Sequence, residues 1–208
     1  MAEFNKPALF GGGEFEAFQG GEDPAAVLRT AHDSAKALLA RARDAGDPAV
    51  VDRLVTYTDE HGIDALAELW ARSAAHSLPG ALWRIYLVRV MIRQDPDGVA
   101  LLFQRGTEVL STIDPVVAGA PLPAGPDEVS ELADSILRGV FEGDFALALE
   151  RAAAFCRVTA AGAVSVADDQ DAASPGRASD LTTRAQRLAI TAEELAACAR
   201  MSRADTLD

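Results

Sequence analysis

A chain of 208 residues is one domain, or one domain with extensions, and is long enough to bury a real core. With 49% apolar but only 6% aromatic residues, that core must be largely aliphatic. The net charge of −13 repels phosphate backbones and anionic lipid headgroups, which are bound by clustered Lys and Arg, so neither nucleic acid nor membrane is an expected partner.

Cys156 and Cys198 stand far apart, with no CxxC or Cys/His spacing. That argues against a disulfide framework and against a zinc site. The opening residues, MAEFNKPALFGGGEF, lack the basic region and apolar core of a secretory signal. No run reaches the roughly 18 to 20 apolar residues that cross a bilayer. The expected location is cytoplasmic.

Residues 1–22 hold Gly11-Gly12-Gly13 and Gly20-Gly21, a composition that predicts irregular backbone. Phe4, Phe10, Phe15 and Phe18 fall in the same stretch. Exposed rings cost free energy in water, so an arm with this many is expected to dock, on its own core or on a partner.

From Asp23 onward, helix starts are marked by Asp and Pro. Asp23-Pro24, Asp47-Pro48, Asp95-Pro96, Pro126-Asp127 and Gly143-Asp144 each precede an apolar-periodic run. An Asp carboxylate accepts the orphan amide protons of a first turn, and Pro fits the first helical position. The spacing of these starts is irregular, so shared capping chemistry explains them better than a repeat does.

The periodicity predicts a helix over 24–45, with Val27, Ala31, Ala35, Leu38, Leu39 and Ala42 on one face. Others are expected over 48–61 and 63–76, the latter carrying Trp70. The run 79–94 is the most apolar in the chain: ten of the twelve positions from Ala81 to Ile92 are apolar, the exceptions being Arg84 and Arg89. A helix apolar nearly all round is normally surrounded by others, so 79–94 is expected at the centre.

Further helices are predicted over 99–110, 127–142 and 144–161, with a proline-rich loop over 114–126. Residues 162–180, GAVSVADDQDAASPGRASD, are small, polar and acidic with no apolar periodicity after Val166, and read as a flexible linker. A helix over 181–190 and a new one started by a Thr191–Glu194 capping box complete the chain. The expected fold is therefore all-α, an irregular bundle of about seven main helices packed around one of them. Its divisions are an arm (1–22), a helical domain (23–161), a linker (162–180) and a helical tail (181–208).

No arrangement in the sequence commits to catalysis. His32-Asp33-Ser34 are adjacent, but neighbours on a helix point about 100° apart and form no triad. The triple glycine is followed by no Gly-Lys-Ser/Thr, so it is not a phosphate loop. His61 and His76 lack the Glu-x-x-His spacing of di-iron bundles. No cofactor and no metal are expected.

Two kinds of binding remain. In the first, Arg89 and Arg93, about 40° apart on their helix, hold an anion beside a pocket lined by Trp70, Trp83 and Tyr86. Internal ion pairs with the abundant acids are the simpler use of these arginines. In the second, Phe4, Phe10, Phe15 and Phe18 of the arm, with Leu188 and Leu195 of the tail, contact a protein partner. The functional expectation is a non-enzymatic interaction or adaptor protein that self-associates as a homodimer. A small-ligand sensor and an unrecognised hydrolase or metal enzyme are its rivals.

Overall fold

The computed structural model describes residues 23–45 and 69–208. Every regular element among the described residues is an α-helix, so the all-α expectation holds. The helices are α1 (Pro24–Ala45), α2 (Leu78–Gln94), α3 (Pro96–Val109), α4 (Asp114–Ala118), α5 (Pro126–Glu142), α6 (Phe145–Gln170) and α7 (Pro175–Arg203). The predicted helix over 48–61, residues 63–68 of that over 63–76, and the arm with its four phenylalanines lie outside the described residues; of the described remainder only 69–71 are helical, so that helix stops short of the expected His76. No helix among the described residues is long and apolar enough to cross a membrane.

The capping chemistry works as the sequence implies. The Asp95 carboxylate accepts the Gly98 amide at 2.9 Å, and Asp144 accepts the Leu147 amide at 3.2 Å. Ser77 caps α2 by accepting from the Gly80 amide at 3.2 Å. The helix therefore begins one residue ahead of the expected Pro79. Residues 114–126 are not wholly loop, because Asp114-Pro115 starts the short α4.

The largest departure lies at 162–180. This stretch is no linker: α6 runs on to Gln170, and α7 begins at Pro175. Small residues mislead here because their apolar signal is weak, yet they let helix backbones approach closely. Gly162 packs so tightly on α3 that an added Cβ would lie 1.7 Å from the Leu102 carbonyl oxygen. Gly106 of α3 answers it, its own virtual Cβ falling 1.9 Å from the Val158 oxygen. Alongside, Phe103 and Phe155 stack with ring centroids 5.2 Å apart. Arg105 then clips the acidic end of α6 to α3, donating to Ser165 at 3.0 Å and Asp169 at 2.6 Å.

Nor does a new helix begin at Thr191. Its hydroxyl donates to the Arg187 carbonyl four residues back, at 2.9 Å, a mid-helix bond rather than a cap. A single α7 folds back along the full length of α6. Its inward residues are Ala178, Leu181, Ala185, Leu188, Ala192, Leu195 and Ala199, spaced alternately by three and four as in a heptad seam.

Helix α2 packs against α1, α3, α5, α6 and α7, as an apolar helix should. The deepest element, however, is α6, where Leu149, Ala152, Ala153, Ala154, Phe155, Cys156, Val158 and Thr159 are all fully buried. The most apolar run in the sequence is thus not the most buried helix.

Candidate functional site

The three arginines of α2 are held by acids from neighbouring helices. Arg89 is 4% exposed, and its Nε donates to Oδ1 of Asp134 on α5 at 3.0 Å. Arg93, one turn on, reaches both oxygens of the same carboxylate at 2.9 and 3.1 Å. On the other side of α2, Arg84 bonds Glu194 of α7 and the Gly80 carbonyl. The pair-and-single division read from helical spacing therefore holds, with each group facing a different helix.

The five residues of the expected anion pocket are placed as follows among the described residues. Trp70 is buried, and its indole N–H donates to the Ser34 hydroxyl on α1 at 3.1 Å. Trp83 and Tyr86 lie half-buried against each other, ring centroids 5.6 Å apart. Arg89 and Arg93 meet on Asp134. Of the two tail residues, Leu195 is fully buried in the α6–α7 seam, while Leu188 reaches the wall of a cavity.

That cavity is a half-open groove of about 500 Å³ between α2 and α7. Leu87, Val88 and Met91 line it from α2, and Asp180, Thr183, Arg184, Arg187, Leu188 and Thr191 from α7. Two ion pairs bracket it, Arg84–Glu194 at one end and Asp95–Arg184, at 3.7 Å, at the other. Because residue numbers rise along one wall and fall along the other, α2 and α7 run antiparallel here. Eleven residues separate Arg84 from Asp95, so the groove is about 16 Å long at the helical rise.

Its chemistry is amphipathic. Leu87, Val88, Met91 and Leu188 form an apolar floor, with Leu87 43% exposed. Arg184 and Arg187 outnumber Asp180 on the rim, so the lining has a net charge of +1 in a chain of −13. The α2 wall was legible in the sequence: Arg84, Leu87, Val88 and Met91 fall at i, i+3, i+4 and i+7, one helical face.

Two other cavities are polar. One of about 540 Å³ is lined by Glu128, Glu131, Asp134, Ser135, Arg138 and Arg151 among others; its Arg151 bonds the Ala118 carbonyl and the Ser135 hydroxyl. Another, of about 480 Å³, lies at the α6–α7 turn beside Asp168 and Asp171.

Neither cysteine is poised as a nucleophile. Burial pushes the Cys156 thiol up to about 12, and it raises Cys198 as well, so neither is a thiolate at neutral pH. Among the described residues, no three or more His, Cys, Asp and Glu side chains converge to hold a metal ion. His76 is exposed in the turn before α2.

No protein-family model, curated protein or solved structure matches the chain. The reading of the site rests on its own geometry.

Proposed function

We propose that the protein is a non-enzymatic helical interaction protein whose contact surface is the α2–α7 groove, and that this groove receives an apolar segment carrying acidic residues. The single observation that supports this reading is an apolar floor rimmed by Arg184 and Arg187 on an otherwise acidic molecule. Apolar burial supplies affinity in such a groove, and charge at the rim selects the partner and speeds its encounter. An amphipathic helix laid in a groove is a common mode of this recognition. A homodimer, in which the segment belongs to a second copy, is one form of the proposal.

Selection of displayed peptides against the full chain tests it. Enriched sequences are expected to carry two large apolar residues three or four apart, with Asp or Glu beside them. Their binding should fall at least tenfold on Met91→Glu or Arg187→Glu, the second a change at an exposed side chain expected to leave the thermal melt unchanged. If no selected peptide is sensitive to either substitution, the groove is not the contact surface.

A further inference from the structure

The groove asks for a segment that combines apolar side chains with negative charge. The chain itself carries one. Residues 14–18 read Glu-Phe-Glu-Ala-Phe, so Phe15 and Phe18 stand three apart and share a face in a helical turn. Glu14 and Glu16 flank them. The whole arm, residues 1–22, has four Glu (3, 14, 16, 22) against one Lys (6), a formal side-chain charge of −3. This is opposite in sign to the groove lining.

We propose that the α2–α7 groove is occupied in cis by the chain's own N-terminal arm, with Phe15 and Phe18 on the floor made by Leu87, Met91 and Leu188 and with Glu14 and Glu16 facing Arg184 and Arg187. This rests on the groove being a contact surface. It goes further by naming the first occupant, and it turns the arm into a built-in competitor for any other partner.

Three considerations favour this occupant. The first is charge: a second acidic protein is repelled by the overall field and attracted only at this rim, whereas the arm is already attached. The second is length. The arm immediately precedes Asp23 and α1, which packs against α2, and its 22 residues span about 70 Å when extended, against about 44 Å for the 29-residue α7, the longest described helix.

The third is mass action. A covalently tethered segment acts at an effective concentration in the millimolar range, roughly a thousandfold above a second copy present at micromolar concentration. Met91 suits aromatic guests in addition, since a thioether packs favourably against ring edges.

A photoreactive p-benzoylphenylalanine placed at Phe15 of the full chain tests the proposal directly. Irradiation at low micromolar concentration is expected to give a product of monomer mass, with the crosslink on Leu87, Met91 or Leu188. In parallel, the synthetic peptide of residues 1–22 is titrated into the wild-type chain and into the full chain bearing Phe15→Ser and Phe18→Ser. Vacating the groove should tighten peptide binding at least tenfold.

A crosslinked product of dimer mass would replace cis occupancy with arm exchange between copies. Crosslinks outside the groove, or equal peptide affinity for the two chains, would also overturn the proposal. The groove itself survives those results if selected acidic peptides still bind and still lose affinity on Met91→Glu. It falls with the arm only if they do not.

Discussion

Helix α7 presents two faces that are built from similar materials and end up unlike each other. Toward α6 it places Ala178, Ala185, Ala192 and Ala199 between Leu181, Leu188 and Leu195, and the seam closes so fully that Ala192, Leu195, Cys198 and Ala199 have no exposure. Toward α2 it meets Leu87, Met91 and the long Arg84 side chain, and a gap of about 500 Å³ remains. The difference is side-chain size at the contact. Alternating small and large residues interdigitate and let the axes approach, whereas bulky residues on both walls, with ion pairs at the two ends, keep the axes apart.

That contrast predicts unequal costs. The sharpest test is Gly162→Ala, because the new methyl would sit 1.7 Å from a backbone oxygen of α3 that has nowhere to go. Overpacking of this kind is expected to cost about 3 kcal/mol and to lower the melting temperature by roughly 6 to 12 °C for a chain of this size. On the open side, Leu87→Ser removes a side chain already 43% exposed and should cost no more than about 0.5 kcal/mol. Equal losses in calorimetry would mean that α2 and α7 are as closely packed as α3 and α6, the pair that Gly162 joins.

A second test concerns polar anchoring of α2, at the face turned away from the groove. Asp134 serves both Arg89 and Arg93, and Arg89 is almost wholly buried. Asp134→Ala would take from the buried Arg89 the carboxylate that its Nε meets, at an expected cost of about 3 kcal/mol. Arg93→Ala, which removes only the half-exposed member, should cost less than about 1 kcal/mol. Chemical denaturation of both variants orders the two effects. The reverse order would show that Arg93 holds α5 to α2 and that Arg89 is an accessory.

How much of this was legible in the sequence follows from the same contrast. The boundaries of α1, α3 and α5 are written in strong chemistry, with Asp or Pro at the start and a clear apolar stripe. The α6–α7 hairpin is written in alanine and glycine, whose hydropathy is too weak to register in a stretch such as 162–180. Yet the three-four spacing from Ala178 to Ala199 was present to be read.

The groove was half legible. Leu87, Val88 and Met91 share a visible face, but Arg184 and Arg187 acquire meaning only when α7 is seen to pass α2. Arg89 and Arg93 are the positive charges on the other face of the most apolar run, and pairing with Asp134 accounts for both, although only Arg89 is buried. Leu195 fell on the wrong side of α7 for partner contact. Sequence periodicity marks a face as apolar but does not say what the face meets.

The smallest effect is electrostatic and belongs to the closed region. Arg157 of α6 donates to the Asp114 carboxylate of α4 at 2.6 and 2.9 Å, and this holds the Asp114 carboxyl below its ordinary value of 3.8 despite the opposing effect of burial. Arg203 does the same for Glu150 across the α6–α7 seam. A carboxyl whose folded value is depressed binds fewer protons folded than unfolded. Its stabilisation is therefore complete above the unfolded value and is lost as pH falls through the folded one.

For Asp114, the stability difference between the wild-type chain and Arg157→Gln should be constant at neutral pH and shrink once pH drops below 3.8. Because Arg157 is 40% exposed, that difference should stay below about 1 kcal/mol and diminish in salt. A larger, salt-insensitive difference would mean that this ion pair, rather than close packing, holds α4 to α6, and the closed region would then owe part of its cohesion to charge as well as to side-chain size.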